Sequence, residues 1–211
     1  MIKNTEWGAV AILSHSKYGI AKEVRINNNS DMKTGYASLT EPTCFYGDDT
    51  SRDCNLIGNT TKETLPYNTS TGYLASTTGN ITGVYDMSGG TQEYMASYRK
   101  NTMGSSGFAS TTIATYNAKY FDVYNAASSE QSWQYRILGD ATGEMGPIST
   151  GTGYGYRNNW YQDRSGFLES NAPWFTRGIS YTNGILAGQF AFSRQNGGTT
   201  NLHGTRLVLA P

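Results

Sequence analysis

Residues 79–95 read GNITGVYDMSGGTQEYM. Glycines at 83, 89 and 90 mark places where the chain turns or lets another backbone come close, and Ile81, Val84, Tyr85 and Met87 are spaced to pack between them. From Thr91 onward TQEYMAS reads as a strand. The stretch therefore predicts a glycine-punctuated loop feeding a strand. The same grammar returns at residues 174–209, WFTRGISYTNGILAGQFAFSRQNGGTTNLHGTRLVL, where apolar or aromatic residues alternate with small and polar ones. That frame predicts three strands, 174–179, 187–193 and 204–209. Its polar positions hold an unrelated assortment: Tyr181, Thr182, Gln189, Ser193, Arg194, Gln195, Leu202 and His203.

Elsewhere the signals are weaker. EWGAVAILSHSKYG (6–19) fits a helix or a strand, because the apolar run at 9–13 suits both. KEVRINNNS within 22–38 reads as a short strand ending in a polar turn. Residues 40–80 are mostly Thr, Ser, Asn and Gly, with one short helix predicted in LPYNTSTGYLAS. YNAKYFDVYNA (116–126) carries an aromatic face, and YRILGDATGEMGP (135–147) a strand followed by a glycine-broken turn that closes a short helix. No helical period runs beyond about 14 residues, and strands with long loops dominate, which predicts an α+β or mostly β chain. No internal repeat or low-complexity linker is visible. At 211 residues one domain is the simplest division, and a domain of this size buries roughly 70% of its unfolded surface.

Composition narrows the functional classes. Sixteen basic residues balance sixteen acidic ones and no basic stripe exists, so nucleic-acid binding has no electrostatic support. Twenty-five glycines and sixteen tyrosines, with abundant Ser, Thr and Asn, suit loops and also the rigid rings and adaptable polar groups of binding surfaces. No run approaches the roughly 20 apolar residues that span a bilayer, and the first residues lack the plan of a signal peptide, so no membrane insertion is expected. The opening reads as the middle of a folded domain, as in a fragment. Cys44 and Cys54 bracket a polar, turn-rich loop. A disulfide there would imply an oxidising compartment; two free thiols or part of a metal site are the other readings.

The 79–95 stretch resembles the N-x-x-G-x-x-D-M-x-G-N-x-x-E-W segment of the formylglycine-generating, sulfatase-modifying enzymes, whose fold is an elaborated C-type lectin fold. Asn80, Gly83, Tyr85, Asp86, Met87, Ser88, Gly89 and Glu93 match, with Tyr94 in place of Trp. That family also ends in an R-G-G strand, a polar stretch and a G-F-R strand. WFTRGIS and HGTRLVL occupy those places, with Ile179 for the second Gly and Thr205 for Phe. The two blocks span about 130 residues in the right order, while the N-terminal third matches less well. The resemblance implies an α+β chain of C-type lectin type, with short strands, long irregular loops and few helices. The family's oxidase activity needs a C-terminal cysteine pair, and residues 174–211 contain no cysteine, so an enzyme is not expected.

A second branch of that fold fits better. The closing stretch resembles the variable proteins of diversity-generating retroelements, in which a C-terminal region is rewritten at template adenines while the framework stays fixed. On that likeness residues 174–209 form a variable ligand-binding region. Trp174, Phe175, Phe190, Phe192, Leu207 and Leu209 should be buried, Gly178, Gly184 and Gly188 should turn the chain or permit close approach, and Arg206 should be buried in hydrogen bonds. Expected to face outward are Ile179, Tyr181, Thr182, Leu186, Gln189 and Ala191, followed by Ser193, Arg194, Gln195, Thr199, Leu202 and His203. The implied ligand is a macromolecule, a protein, bound without a cofactor at a bacterial cell surface or a phage virion surface. The competing readings are a sulfatase-modifying-like enzyme with altered catalytic residues and a plain structural module of a pilus or phage tail.

Other motifs carry less. GTGYG (151–155) lacks the spacing of a phosphate loop, and DDTSRD (48–53) lacks the alternate ligands, Gly and closing Glu of a calcium loop. EPT (41–43) precedes the signature and has no W-N-D partner, which argues against calcium-dependent sugar binding. His15 and His203 lie in no nucleophile context: His203 reads as a contact residue and His15 as locally bonded. NTT, NTS and NIT at 59, 68 and 80 match a glycosylation sequon.

Overall fold

The computed structural model describes residues 1–39, 64–125, 136–142, 144, 156–157, 161 and 163–208, with backbone alone at 156, 157 and 185. Cys44, Cys54, Leu209, GTGYG, DDTSRD, EPT and the sequon at 59 lie outside them. The chain is mixed α+β with few helices. A first helix, α1 (Asn4–Ser14), is followed by a small antiparallel pair, β1 (Tyr36–Ser38) with β2 (Thr64–Pro66), and a 3-10 turn at Gly72–Ala75. Then come β3 (Gln92–Arg99), a short α2 (Ser110–Ile113), β4 (Asp122–Tyr124), β5 (Tyr156–Arg157) and β6 (Arg164–Ser165). The closing stretch supplies β7 (Trp174–Gly178), a 3-10 segment at Tyr181–Leu186, β8 (Gly188–Gln195) and β9 (His203–Gly204).

Helix α1 settles the ambiguity of the opening apolar run. Its first turn is capped from within, where Glu6 Oε2 accepts from Lys3 N at 2.8 Å, and by the sheet, where Ser97 Oγ accepts from Asn4 N at 2.8 Å and Asp122 Oδ2 accepts from Thr5 N at 2.8 Å. Amide donors that no helical carbonyl can reach are thus satisfied by the sheet. Trp7, Ala11 and Ser14, four and then three residues apart, turn inward, and Gly8 sits so close to residues 139–140 that a Cβ would meet backbone at 2.5 Å. KEVRINNNS forms no strand. It crosses the molecule in irregular backbone held at a single bridge, Asn27 to Gly89.

A seven-stranded sheet has the order β4-β3-β7-β8-β6-β5, with β9 also pairing β3. The β3–β7, β7–β8 and β5–β6 pairs are antiparallel, and the β3–β4, β3–β9 and β6–β8 pairs are parallel. Strands at 174–178 and 188–195 fall where the alternation placed them, and TQEYMAS becomes β3. The third expected strand shrinks to two residues, and Leu207 is 82% exposed rather than buried. Once β9 leaves β3, residues 205–208 have no sheet partner to place that side chain inward.

The central hairpin is covered on both faces. All five residues of β7 and the first six of β8 are buried. One face carries Met95, Phe175, Phe190 and Phe192 against Trp7, Tyr124 and Phe167. Toward the other lie Trp174 with Tyr98, Met103 and Ile113, and a smaller cluster of Ile26, Ile179, Ala187 and Ala191. Such double burial explains why both sets of positions in the frame are filled from within. Met87 packs as its spacing predicts, whereas Ile81 and Val84 are exposed, left outside in a tight turn built on Asn80.

Candidate ligand-binding site

Four positions expected to face outward are interior. Ile179, Gln189 and Ala191 are 0% exposed and Ser193 is 2% exposed. For Gln189, Ala191 and Ser193 the cause is the second covered face of the hairpin. Ile179 follows Gly178 into the left-handed region (φ 57°), which turns its side chain back onto Ile26, Ala187 and Ala191. Gln189 gives its carbonyl to Trp7 Nε1 at 2.9 Å, while both polar atoms of its side chain are buried without a partner. These four cannot touch a ligand in this conformation.

The other expected contact residues reach the surface, and the segment 90–92 gathers them. Tyr181 N donates to Gly90 O at 3.0 Å, Gln92 N donates to Leu202 O at 2.9 Å, and His203 pairs with Gln92 across β9 and β3. The 3-10 segment carrying Tyr181, Thr182 and Leu186 is thereby anchored beside the loop carrying Thr199, Leu202 and His203. Tyr181, Leu186, Leu202 and His203 are half-buried, and Thr182 and Thr199 exposed. The 3-10 turn is fixed by its own hydroxyls: Ser180 Oγ lies 2.7 Å from Thr182 Oγ1 and accepts from Asn183 Nδ2 at 2.8 Å. Gly184 takes φ 55° and ψ −129°, a conformation that side chains avoid, and so turns the chain as the sequence predicts.

Between β8 and β9 the loop 196–202 borders a cleft of about 440 Å³, within the range of small-ligand sites. Arg194, Gln195, Thr199 and His203, all expected contact residues, line it, joined by Asn171, Asn196, Gly198 and Thr200, which the reading of the sequence missed. Nothing marked Asn171 in advance, since it lies before the frame. The asparagine and glycines of QNGG (195–198) did signal a turn.

The rim is pinned. Ser105 N donates to Asn196 O at 2.6 Å, Gly198 N to Asn196 Oδ1 at 2.9 Å, and Tyr94 Oη to Gly198 O at 2.7 Å. At Gly197, with φ 90°, a Cβ would stand 2.7 Å from Ser106. Arg194 ion-pairs with Glu169 at 3.0 Å and donates to Phe167 O at 2.8 Å. His203 packs edge-on against the Tyr94 ring (4.9 Å), and its Nδ1 lies 3.4 Å from Gly198 O. Burial lowers the His203 pKa, against the opposing effect of that carbonyl.

Residues of the glycine-punctuated stretch and of the closing segment bind one another. Arg206 clasps Glu93, donates to the carbonyls of Tyr85 and Asp86, and lies 4.9 Å over the Trp7 ring. Arg206 is thus bound in hydrogen bonds as expected. Asp86 accepts from Asn27 Nδ2 at 2.7 Å and from Gly35 N at 3.1 Å, tying the loop 27–35 to the signature.

A second buried cation, Arg177, donates through Nε to Asn4 Oδ1 at 2.6 Å and through Nη2 to Asp140 O. Burial pulls its pKa down to about 10, with Asp140 and Tyr124 acting against that. Asp163, wholly buried, accepts from Phe190 N at 3.0 Å, and burial pushes its carboxyl up to about 8. Burial and Asp163 raise Glu23, and burial with Glu23 and Asp163 raises Tyr161 to about 12. Tyr161 Oη lies 3.3 Å from His15 Nδ1, a partner distant in sequence rather than the local one expected beside SKYG.

Among the described residues no group of three or more His, Cys, Asp or Glu is placed to hold a metal ion. No helix among them is long and apolar enough to cross a membrane. No family model, curated protein or solved structure matches the chain.

Proposed function

We propose that the chain is a non-enzymatic binding domain on a C-type-lectin-like scaffold, of the kind diversified by retroelements, displayed at a bacterial or phage surface to engage a protein. One observation carries this reading. The closing stretch separates into a frame buried on both faces and surface loop residues, Tyr181, Thr182, Leu186, Thr199, Leu202 and His203, on two segments that are both anchored at residues 90–92 through Tyr181, Leu202 and His203. Arg194 and Gln195 join them along the cleft. A fixed backbone with exchangeable outward side chains lets affinity change without refolding.

Sequencing the flanking DNA and sister copies of the gene tests it. A near-copy of the segment encoding 174–209, with adenines at the codons of these outward residues and a neighbouring reverse transcriptase, is the expected result. Variation should spare Ile179, Gln189, Ala191 and Ser193, which are buried inside the scaffold. Copies that differ no more in this region than elsewhere would rule the reading out.

A further inference from the structure

We infer that the cleft between β8 and the loop 196–202 takes an uncharged, extended peptide segment of a partner protein, recognised through its backbone amides. The inference rests on the binding reading above and narrows it to a ligand class. Charge is the first argument. Among the described residues the cleft's one guanidinium, Arg194, is spent on Glu169 at 3.0 Å and on the carbonyl of Phe167 at 2.8 Å, so neither sign is left over there for a ligand. A ligand carboxylate would have to compete with Glu169, and a ligand ammonium would have to break the same pair. Both cost desolvation without a new partner.

The second argument is the type of polar group present. Asn171, Gln195 and Asn196 bring carboxamides to the lining, and Thr199 and Thr200 bring hydroxyls. A carboxamide offers a donor beside an acceptor, which is the complement of a peptide unit. Asn196 spends Oδ1 on Gly198 N and keeps Nδ2 for another acceptor. His203 adds an acceptor: a carbonyl can only receive, so Nδ1 carries the proton toward Gly198 O and Nε2 of the neutral ring is left with its lone pair.

Two further features favour a peptide over a glycan. Among the described lining residues the aromatic ring is the His203 imidazole, a smaller stacking platform for a sugar than a Tyr or Trp ring. The rim is also held by the Ser105, Tyr94 and Asn196 hydrogen bonds, so little ordering cost remains when an extended segment is laid in.

Titration of the whole isotope-labelled chain at neutral pH, followed by amide NMR, tests this. The probes are end-blocked pentapeptides with Gly, Asp or Lys at the centre of an otherwise Gly/Ser/Asn sequence, and a trisaccharide of N-acetylglucosamine. The neutral peptide should shift the amides of Asn171, Gln195, Asn196 and Thr199. The Asp and Lys peptides should bind at least about 10-fold more weakly. Asn196→Asp should weaken the neutral peptide by about the same factor while the rest of the spectrum stays in place. Equal binding of the charged peptides, shifts with the trisaccharide alone, or no shift with any probe would overturn the inference. Sister copies varying at the outward positions would then leave the broader binding reading standing, and invariant copies would remove that reading instead.

Discussion

Arg206 holds Glu93 with two nitrogens, Nε at 2.6 Å and Nη2 in a closer contact still. The pair joins the two stretches that stand out in the sequence, because Glu93 ends the glycine-punctuated loop and Arg206 lies in the closing segment. Glu93 is nearly buried, so its carboxylate depends on this partner; burial raises its pKa and Arg206 opposes the rise. Glu93→Gln keeps the shape and removes the charge, and should cost about 1.5–3 kcal/mol, the range for hydrogen bonds to charged groups. Arg206→Lys should lose a similar amount, since a point charge cannot serve Glu93 and two carbonyls at once. Urea unfolding measures both; a loss below about 0.5 kcal/mol, as at ordinary surface sites, would show the pair to be peripheral.

Ile179 stands in the left-handed region at φ 57° and is fully buried, a costly combination for a β-branched side chain. Ordinarily Gly is worse than Ala by about 0.5–1 kcal/mol through backbone freedom. Here the order should reverse or vanish. Ile179→Ala loses the packing on Ile26 and Ala191 at a cost of about 2–5 kcal/mol and keeps the strain. Ile179→Gly loses the same packing but regains about 1–2 kcal/mol of left-handed penalty. Thermal unfolding of the two variants should place the glycine variant at or above the alanine one, and a clearly lower glycine variant would remove the strain argument.

Local period made β7 and the start of β8 legible, because alternation and aromatic content act within a few residues. What the pattern could not convey was the second layer. Gln189, Ala191 and Ser193 read as outward because alternation assumes one solvated face, and only the tertiary fold brings cover to the other. Ile179 failed for the added reason that a positive φ after Gly178 reverses its direction. The cleft was half legible: Arg194, Gln195, Thr199 and His203 belonged to the frame, whereas Asn171 comes from outside it and meets them only in three dimensions.

Asp163 gives the fold a dependence on pH. Burial raises its folded pKa to about 8, above the ordinary carboxylate value that the unfolded chain retains. The folded state therefore binds the proton more tightly. Its contribution is fully present below the unfolded pKa and is lost as pH rises through about 8. Asp163→Asn keeps the acceptor for Phe190 N and removes the titration. Unfolding free energy followed from pH 5 to pH 9 should fall less steeply in the variant than in the parent, and parallel curves would show that Asp163 does not carry the effect.

Gln189 separates the buried frame from the exchangeable surface most sharply. Its amide is wholly buried with neither polar atom partnered, a cost of about 1–3 kcal/mol that a methionine of similar length avoids. Gln189→Met should therefore stabilise the fold by about 1–2 kcal/mol, whereas Ala191→Tyr, forcing a ring into a filled site, should cost about 1–3 kcal/mol or more. Serine at Thr182 or Thr199, both exposed, should change stability by less than about 0.5 kcal/mol. Chemical denaturation of the four variants checks the contrast. Equal tolerance at all four positions would mean that the line between scaffold and contact surface does not run where burial places it.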